Sequence, residues 1–392
     1  MISRRAKTIC FTLEGINSVA ATLYFNYLFF FLRDNFGFDS RRNLWVSALH
    51  GFIYIFAAWQ GGRFGQRRGY FNALKLGYGG MAVLLIAGAF LTHSIHAQLI
   101  VVAGWTVMIC LTWPALEALI SEGEDDASLP RMVGIYNVVW AGTAGLAYFC
   151  GGMIFETFGW KTLFWLPAVL FAAQFVVVLW LEKNSGAEKS SAAPPTAAHT
   201  PEVAATAKGI SPKTFLRMAW LGNPFAYIAV NTLYAVIPQL AQRFGLSIAA
   251  SGLFCSVWLF ARLGIFAALW RWTGWHYRFG WLAAAFVTLL VSFTTLLLAS
   301  QLWVVVLAQV GFGAAVGLLY YSSLFYSMDA GEAHGDHGGI HEAFIGVGIF
   351  SGTAVGAAAL QFFPQYASAS TWAVSGLLVC GLGGLGWLRL RK

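Results

Sequence analysis

The length of its apolar runs constrains this chain most. Runs of roughly 20 residues without a charged side chain recur along the sequence, and such runs are typical of transmembrane helices because lipid offers backbone amides no hydrogen-bond partner. Only 10% of the 392 residues are charged, whereas soluble domains carry about 25%. The short alternating strands of a membrane β-barrel are not evident. The sequence therefore predicts an all-α membrane protein.

We predict twelve transmembrane helices in two six-helix bundles, residues 1–181 and 213–392, joined by a cytoplasmic linker at 182–212. The linker is predicted to be flexible because it is rich in Ala, Ser, Thr and Pro and has no apolar period. The predicted helices are 9–32, 43–62, 70–92, 98–120, 132–154, 161–181, 214–240, 248–270, 279–299, 302–327, 343–363 and 371–388.

Lysine and arginine set the expected orientation. Seventeen of the 24 fall in segments on the side of the N-terminus and five in loops on the other side. The positive-inside rule then places both termini in the cytoplasm. We expect a multi-pass protein of the plasma membrane, and specifically of a bacterial inner membrane. The net charge of +8 reflects this topology and predicts no nucleic-acid partner. No cleavable signal peptide is evident before the first apolar run.

The two bundles resemble each other in sequence. Thr22-Leu23-Tyr24 recurs 210 residues later as Thr232-Leu233-Tyr234, and Gly142-Thr143-Ala144 recurs at the same offset as Gly352-Thr353-Ala354. Internal duplication in a membrane protein is typical of carriers whose halves rock about a site near the midplane. The repeat therefore predicts pseudo-symmetric bundles and alternating access.

A basic, glycine-rich segment, GRFGQRRG, follows the second predicted helix. It resembles the Gly-x-x-x-Asp-Arg-x-Gly-Arg-Arg signature of the major facilitator superfamily, with Gly62, Gln66, Arg67 and Gly69 at the matching positions. The twelve helices, the linker and the repeat extend this resemblance over the whole chain. The resemblance implies a cytoplasmic latch between the bundles. Gln66 replaces the usual aspartate and cannot form an ion pair, which predicts a weaker latch; alternatively, the arginines only enforce topology.

Charged side chains inside predicted helices are costly and usually face a cavity or a partner. Arg262 is predicted to attract an anionic group of a substrate or to pair with a carboxylate of the other bundle. The resemblance implies that the first, fourth, seventh and tenth helices line a central cavity. Glu14 in the first helix is a candidate proton-coupling or substrate-binding group, or a partner of Lys75.

Two further ionisable residues have candidate roles. His50 titrates in a range suited to proton coupling, although a lone buried histidine is also a common packing residue. Glu117 lies near the inner end of the fourth predicted helix. We expect it to pair with Arg131 or with the basic segment and to act as a gate.

Polar and aromatic residues at helical spacing complete the candidate site. In the first helix Asn17 and Tyr24 follow Glu14 along one stripe, and a related set recurs in the seventh helix. We predict that these side chains contact a small polar or amphipathic solute, which could carry an anionic group. For any one of these residues, helix packing is an equally good explanation. The predicted substrate-binding residues are Arg262, Asn17, Tyr24, Tyr227, Asn231, Tyr234 and Tyr321.

We predict neither a cofactor nor a metal. The run AHGDHGGIHE, which we expect to form a cytoplasmic loop, contains His334, Asp336, His337, His341 and Glu342, but it lacks a defined ligand spacing. No nucleotide-binding or nucleophile motif is evident, which argues against an enzyme or an ATP-driven pump.

The sequence thus favours a monomeric, proton-coupled secondary transporter whose partners are a small solute, protons and the lipid bilayer. The alternatives are a multidrug/proton antiporter that exports amphipathic compounds and a membrane sensor that transports nothing.

Overall fold

The computed structural model describes residues 4–124, 128–184, 210–329 and 337–391, and all regular structure in these ranges is helical. We call 4–184 the first segment and 210–391 the second. In chain order the helices are α1 (Arg4–Ala21), a π-helical turn (Thr22–Asn26), α2 (Tyr27–Phe36), α3 (Ser40–Arg68), α4 (Tyr70–Phe90), α5 (Ile95–Ile109), α6 (Trp113–Ser121), α7 (Leu129–Phe158), α8 (Thr162–Asn184), α9 (Pro212–Arg243), α10 (Ile248–Phe254), α11 (Val257–Arg271), α12 (Phe279–Leu298), α13 (Leu302–Asp329), α14 (His337–Phe362) and α15 (Ala369–Leu390).

Within the described residues, ten helical stretches are long and apolar enough to cross a membrane. One of them runs from Arg4 to Phe36 through the π-helical turn. The predicted helices 43–62 and 214–240 correspond to α3 and α9, which are not among the ten. Both carry many polar side chains, and α9 also contains Pro224 and Pro238. The predicted count of twelve stays a prediction, as does the twofold relation of the bundles.

Two ends of the molecule are distinguished by their connections. At one end lie the short turns 37–39, 91–94, 159–161, 244–247, 299–301 and 363–368, and we call it the Arg33 end. At the opposite end, the Lys7 end, Lys7 forms an ion pair with Glu124. There Lys75 also pairs with Glu182 at 2.8 Å, which gives Lys75 a partner other than Glu14.

The basic segment is mostly helix, not loop. α3 continues through it to Arg68, so Gly62 and Gln66 lie inside a helix that is longer than predicted. The helix ends at Gly69, whose φ of 92° favours glycine and whose N–H donates to the carbonyl of Gly65. Arg67 is exposed. The tight turn expected here therefore depends on Gly69 alone, and the latch stays a prediction.

Glycines bring helices of different sequence position into backbone contact. A Cβ atom added at Gly152 of α7 would overlap the carbonyl oxygen of Ile248, and one at Gly346 of α14 would lie 2.7 Å from the backbone nitrogen of Ile55 in α3. Both contacts join the first segment to the second. Small residues at such crossings let helices pack closely in lipid, where no hydrophobic force draws helices together.

We predict that Gly313→Ala destabilises the protein and that Gly264→Ala does not. A Cβ at Gly313 of α13 would overlap the carbonyl oxygen of Trp258 in α11, whereas nothing lies within 4 Å of a Cβ at Gly264. Overpacking typically costs roughly 1–3 kcal/mol, while alanine favours an open helix site by up to about 1 kcal/mol. Thermal unfolding in detergent measures both. Equal melting temperatures for the two variants would contradict the close α11–α13 contact.

Candidate functional site

One cavity, of about 170 Å³, lies between the two segments near the middle of the helices. It is lined by α1, the π-helical turn, α3, α5, α6 and α7 of the first segment and by α9, α11, α13 and α14 of the second. Its walls combine aromatic rings with ionisable side chains. The lining residues are Glu14, Ser18, Ala21, Thr22, Phe25, Asn26, His50, Tyr54, Trp105, Trp113, Glu117, Tyr136, Trp140, Ala144, Tyr227, Val230, Asn231, Tyr234, Arg262, Tyr320, Glu342, Ile345 and Ile349.

The structure places most of the predicted ionisable residues in this cavity. Glu14 and His50, the candidate proton-coupling groups, both line it, and so do four of the seven candidate substrate-binding residues, Arg262, Tyr227, Asn231 and Tyr234.

Asn17 and Tyr24 do not line the cavity, contrary to the expectation from helical spacing. Asn17 is buried and donates a hydrogen bond to the hydroxyl of Thr112, and Tyr24 packs against Trp105 and Phe164. The cavity face is the neighbouring stripe of the same helix, because Glu14, Ser18, Ala21, Thr22 and Phe25 also recur at helical spacing, so the spacing alone did not decide between the two stripes. The residues of this helix that face the cavity are Glu14, Ser18, Ala21, Thr22, Phe25 and Asn26.

Tyr321 also lies outside the cavity lining, where its ring packs on Phe266 and Trp275. Its neighbour Tyr320 lines the cavity instead. Adjacent residues on a helix point about 100° apart, so the choice between them required the exact rotation of α13.

Glu117 requires a correction. The sequence predicts that it pairs with Arg131 or the basic segment, but it lines the cavity, and Arg131 lies exposed near the start of α7. Among the described residues no ion pair joins the two. The helix around Glu117 begins at Trp113, after a break at 110–112, and this break turns the carboxyl group inward.

Three carboxyl groups therefore share the cavity: Glu14, Glu117 and Glu342. Glu14 is 1% exposed; its Oε1 accepts a hydrogen bond from Ser18 at 2.9 Å, and its carboxyl group is also close to the hydroxyl of Tyr136. Glu342 accepts a hydrogen bond from the hydroxyl of Tyr54, which joins α14 of the second segment to α3 of the first. Removing such charges from water costs several kcal/mol each unless they are paired.

His50 has a defined hydrogen-bond partner. Its Nδ1 lies 2.8 Å from the hydroxyl of Thr106, and that hydroxyl donates to the carbonyl of Val102. The hydroxyl proton is thus engaged, so Nδ1–H donates to Thr106 Oγ1 and Nε2 is left with a lone pair. This arrangement positions His50 to accept a proton at Nε2.

Arg262 is held between two indole rings. Its guanidinium carbon lies 4.4 Å from the ring centroid of Trp140 in α7 and 5.0 Å from that of Trp258 in its own helix. The side chain is buried, and Nε has no hydrogen-bond partner in the part of the chain that the structure describes. Cation–π contacts contribute about 2 kcal/mol when desolvated, so they offset only part of the cost of burying the charge.

Several lining residues are not predicted from the sequence. Tyr54, Trp113, Tyr136 and Trp140 resemble ordinary apolar or aromatic positions, and no local pattern singles them out. The sequence does offer an indication for Glu342, because this residue directly precedes an apolar run. The sequence predicts a loop at this position, whereas α14 begins at His337 and includes Glu342.

The histidine-rich run lies partly outside the described residues, since 330–336 are not among them and these include His334 and Asp336. His341 is described and lies 3.4 Å from Ser323 through Nδ1. In the described ranges no group of three or more histidines, cysteines, aspartates or glutamates could hold a metal ion.

Beyond the cavity, hydrogen bonds join the two segments at the Arg33 end. Arg33 donates to the carbonyl of Pro238 at 2.9 Å, and Gln239 donates to the carbonyl of Phe38 at 3.0 Å. The Glu156 carboxylate accepts from the N–H of Ala249, in the first turn of α10, at 2.8 Å. The two segments are thus joined at this end by hydrogen bonds between side chains of one and main-chain atoms of the other.

Comparison with known proteins places these features in a wider group. The family model described as Major Facilitator Superfamily matches residues 9–353. The human organic anion transporter MFSD10 (TETRAN) is similar in structure, with a TM-score of 0.67 and 17% identity, over 97% of this chain and 99% of that one. The nucleoside transporter NupG, in a point-mutant form, has a TM-score of 0.73 and 12% identity, over 98% and 99% of the two chains.

No curated protein matches the sequence. At these identities the two solved structures show a shared fold, while the family match extends over most of the chain. The chain, with its apolar helices around a cavity between two segments, belongs to the Major Facilitator Superfamily.

Proposed function

We propose that this protein is a secondary active transporter that moves a small polar or amphipathic organic solute by alternating access, coupled to protons. The observation that carries the proposal is the cavity between the two segments, because it places Glu14, His50 and Arg262 in one buried space. The transporters MFSD10 and NupG, named for organic anions and nucleosides, share the fold and support an organic solute.

The proposed architecture is twelve membrane-crossing helices in two related bundles, 1–181 and 213–392, with 182–212 as the linker. α3 and α9 complete the count. They have 29 and 32 residues, and at 1.5 Å per residue both exceed the roughly 30 Å of membrane hydrocarbon. Both also line the cavity beside helices that are apolar enough to span.

The proposed orientation places both termini and the Lys7 end in the cytoplasm of a bacterial inner membrane, as the lysine and arginine distribution favours. The Arg33 end then faces outward. The hydrogen bonds of Arg33, Gln239 and Glu156 join the two segments on that side, and we propose that a rocking motion breaks them. Gly62, Gln66, Arg67, Gly69 and Arg131 remain candidates for the latch at the opposite end.

Proton coupling is proposed through Glu14 or His50. The Nε2 lone pair of His50 and the carboxyl group of Glu14 can each take up a proton in the cavity. A multidrug/proton antiporter remains the second candidate because the aromatic walls suit amphipathic compounds. A sensor that transports nothing would lack solute flux in vesicles.

We predict that at least one of the variants His50→Ala and Glu14→Gln abolishes accumulation driven by a pH gradient. A solute is first identified by a thermal-shift screen of anionic and zwitterionic metabolites and then followed in proteoliposomes. Two pH units supply about 2.7 kcal/mol per proton, which limits one-to-one coupled accumulation to about 100-fold. Exposed His93 provides the control, and His93→Ala should accumulate solute normally. Gradient-driven accumulation by both cavity variants would exclude coupling through these groups.

We further predict that Arg33→Ala opens the Arg33 end, whereas Arg243→Ala does not. Arg33 bonds across the segments, but Arg243 bonds to Leu297 and Ala299 of its own segment. A hydrogen bond from a charged donor contributes about 1.5–3 kcal/mol, enough to shift a two-state population roughly tenfold or more.

Spin labels at Lys161→Cys and Ser300→Cys report this opening by their distance distribution, after Cys150 and Cys380 are replaced by alanine. The Arg33→Ala variant should gain a longer-distance component that the Arg243→Ala variant lacks. Identical distributions in both variants and in the parent would show that these contacts do not hold the segments together.

A further inference from the structure

The charged groups of the cavity fall into two sets that do not neutralise each other. Glu14, Glu117 and Glu342 carry the carboxyl groups, and Arg262 carries the one guanidinium that lines the cavity. Within the described residues, no ion pair joins any of these carboxyl groups to a lysine or arginine. The cavity therefore presents an acidic set and a basic group separately.

Tyrosines lie between the two sets. Tyr227 and Tyr320 are each within electrostatic range of Arg262 and also of Glu117 and Glu342. Glu117 in turn is within range of Glu14 and Glu342, so the three carboxyl groups form one neighbourhood. The Tyr320 ring also packs against Trp140, and the Trp140 ring in turn contacts the Arg262 guanidinium. The order across the cavity is carboxyl groups, tyrosine rings, then arginine.

Buried polar atoms remain without partners at both ends of the cavity, among the residues that the structure describes. At the acidic end the Glu14 carboxyl group and the hydroxyl of Tyr136, which is 3% exposed, lie near each other but make no hydrogen bond of good geometry; at the basic end Arg262 Nε has no partner. Buried polar groups in proteins are nearly all hydrogen-bonded, so unpaired ones indicate an absent partner. Here they belong to side chains that line the same cavity.

We propose that the cavity binds an organic zwitterion, with its ammonium group at Glu14, Glu117 and Glu342, its carboxylate at Arg262, and an apolar body against the rings of Tyr227, Tyr320 and Trp140. This inference rests on the proposed transport function and names its substrate class. An ammonium donates to several carboxylate oxygens at once, and a carboxylate accepts from the guanidinium fork.

Charge matching favours a zwitterion over the simpler solutes. A purely cationic solute would leave Arg262 buried without an anionic partner, and a purely anionic solute would require all three carboxyl groups to be protonated. An uncompensated charge in a low-dielectric site costs more than the attraction of the other end returns. A zwitterion satisfies both ends, and its aromatic or aliphatic middle replaces water along the tyrosine and tryptophan rings.

The first experiment measures binding to the purified full-length protein by thermal shift and calorimetry. The probes are phenylalanine, leucine, 4-aminobutyric acid, 6-aminohexanoic acid and 4-(aminomethyl)benzoic acid, which vary the distance between the charges. Each is compared with its methyl ester, which keeps only the ammonium, and its N-acetyl derivative, which keeps only the carboxylate. We expect at least one free zwitterion to bind about ten times or more tighter than both derivatives. Binding confined to esters or to N-acetyl derivatives, or no binding by any probe, overturns the proposal.

The second experiment tests which end of the cavity binds the ammonium and which binds the carboxylate. It compares the relative affinities of one variant for the zwitterion and its derivatives, and misfolding would not change these selectively. Arg262→Gln should no longer prefer the zwitterion to its ester, but should still prefer the zwitterion to its N-acetyl derivative. Glu14→Gln should no longer prefer the zwitterion to its N-acetyl derivative, but should still prefer it to its ester. Arg243→Gln and Glu182→Gln lie outside the cavity lining and should keep both preferences. If Arg262→Gln and Glu14→Gln reduce both preferences equally, or leave both intact, the proposed orientation fails.

Flux in proteoliposomes separates this proposal from the general one. Transport of an N-acetyl derivative without binding of its parent amino acid would keep the transporter and reject the zwitterion. Tight zwitterion binding without flux would keep the zwitterion site and reject the proposed transport function.

Discussion

The structure depends on where it places ionisable side chains that are buried away from water. Ion pairs such as Lys75–Glu182 lie toward the Lys7 end, where water and lipid headgroups are within reach under the proposed topology. Five ionisable groups without an ion-pair partner among the described residues, the side chains of Glu14, His50, Glu117, Arg262 and Glu342, lie deep between the segments and share one cavity. Such groups are expensive in a membrane and are kept where they contact a solute or a proton. The indole rings on either side of the Arg262 guanidinium show how the protein tolerates one of these buried groups.

The helices that carry these groups are interrupted near the cavity. α1 is followed by a π-helical turn, α6 begins after a break at 110–112, and α11 follows one at 255–256. Regular helices present one fixed stripe of side chains to a neighbour. Interruptions let a helix pack its apolar rings on one neighbour while it turns polar groups toward the cavity, and irregular backbone at membrane depth is tolerated where it lines such a space.

Much of this was accessible from the sequence. The family resemblance is confirmed, and long apolar runs predicted the helices because their signal is additive over many residues. Glu14, His50 and Arg262 were found because a polar group in an apolar run has few settings open to it. The rotational details were not accessible. Asn17, Tyr24 and Tyr321 were misplaced, and Glu117 and Glu342 were underestimated, because helix irregularities and exact helix starts depend on packing between distant parts of the chain.

The π-helical turn at Thr22–Asn26 has a consequence for how this helix tolerates changes in length. In a regular helix, deleting one residue swings everything beyond it by about 100° and ruins the packing. Here the chain already contains one residue more than an α-helical turn requires. Deleting one of these five residues should therefore convert the turn to α-helix and leave the packing of α2 unchanged.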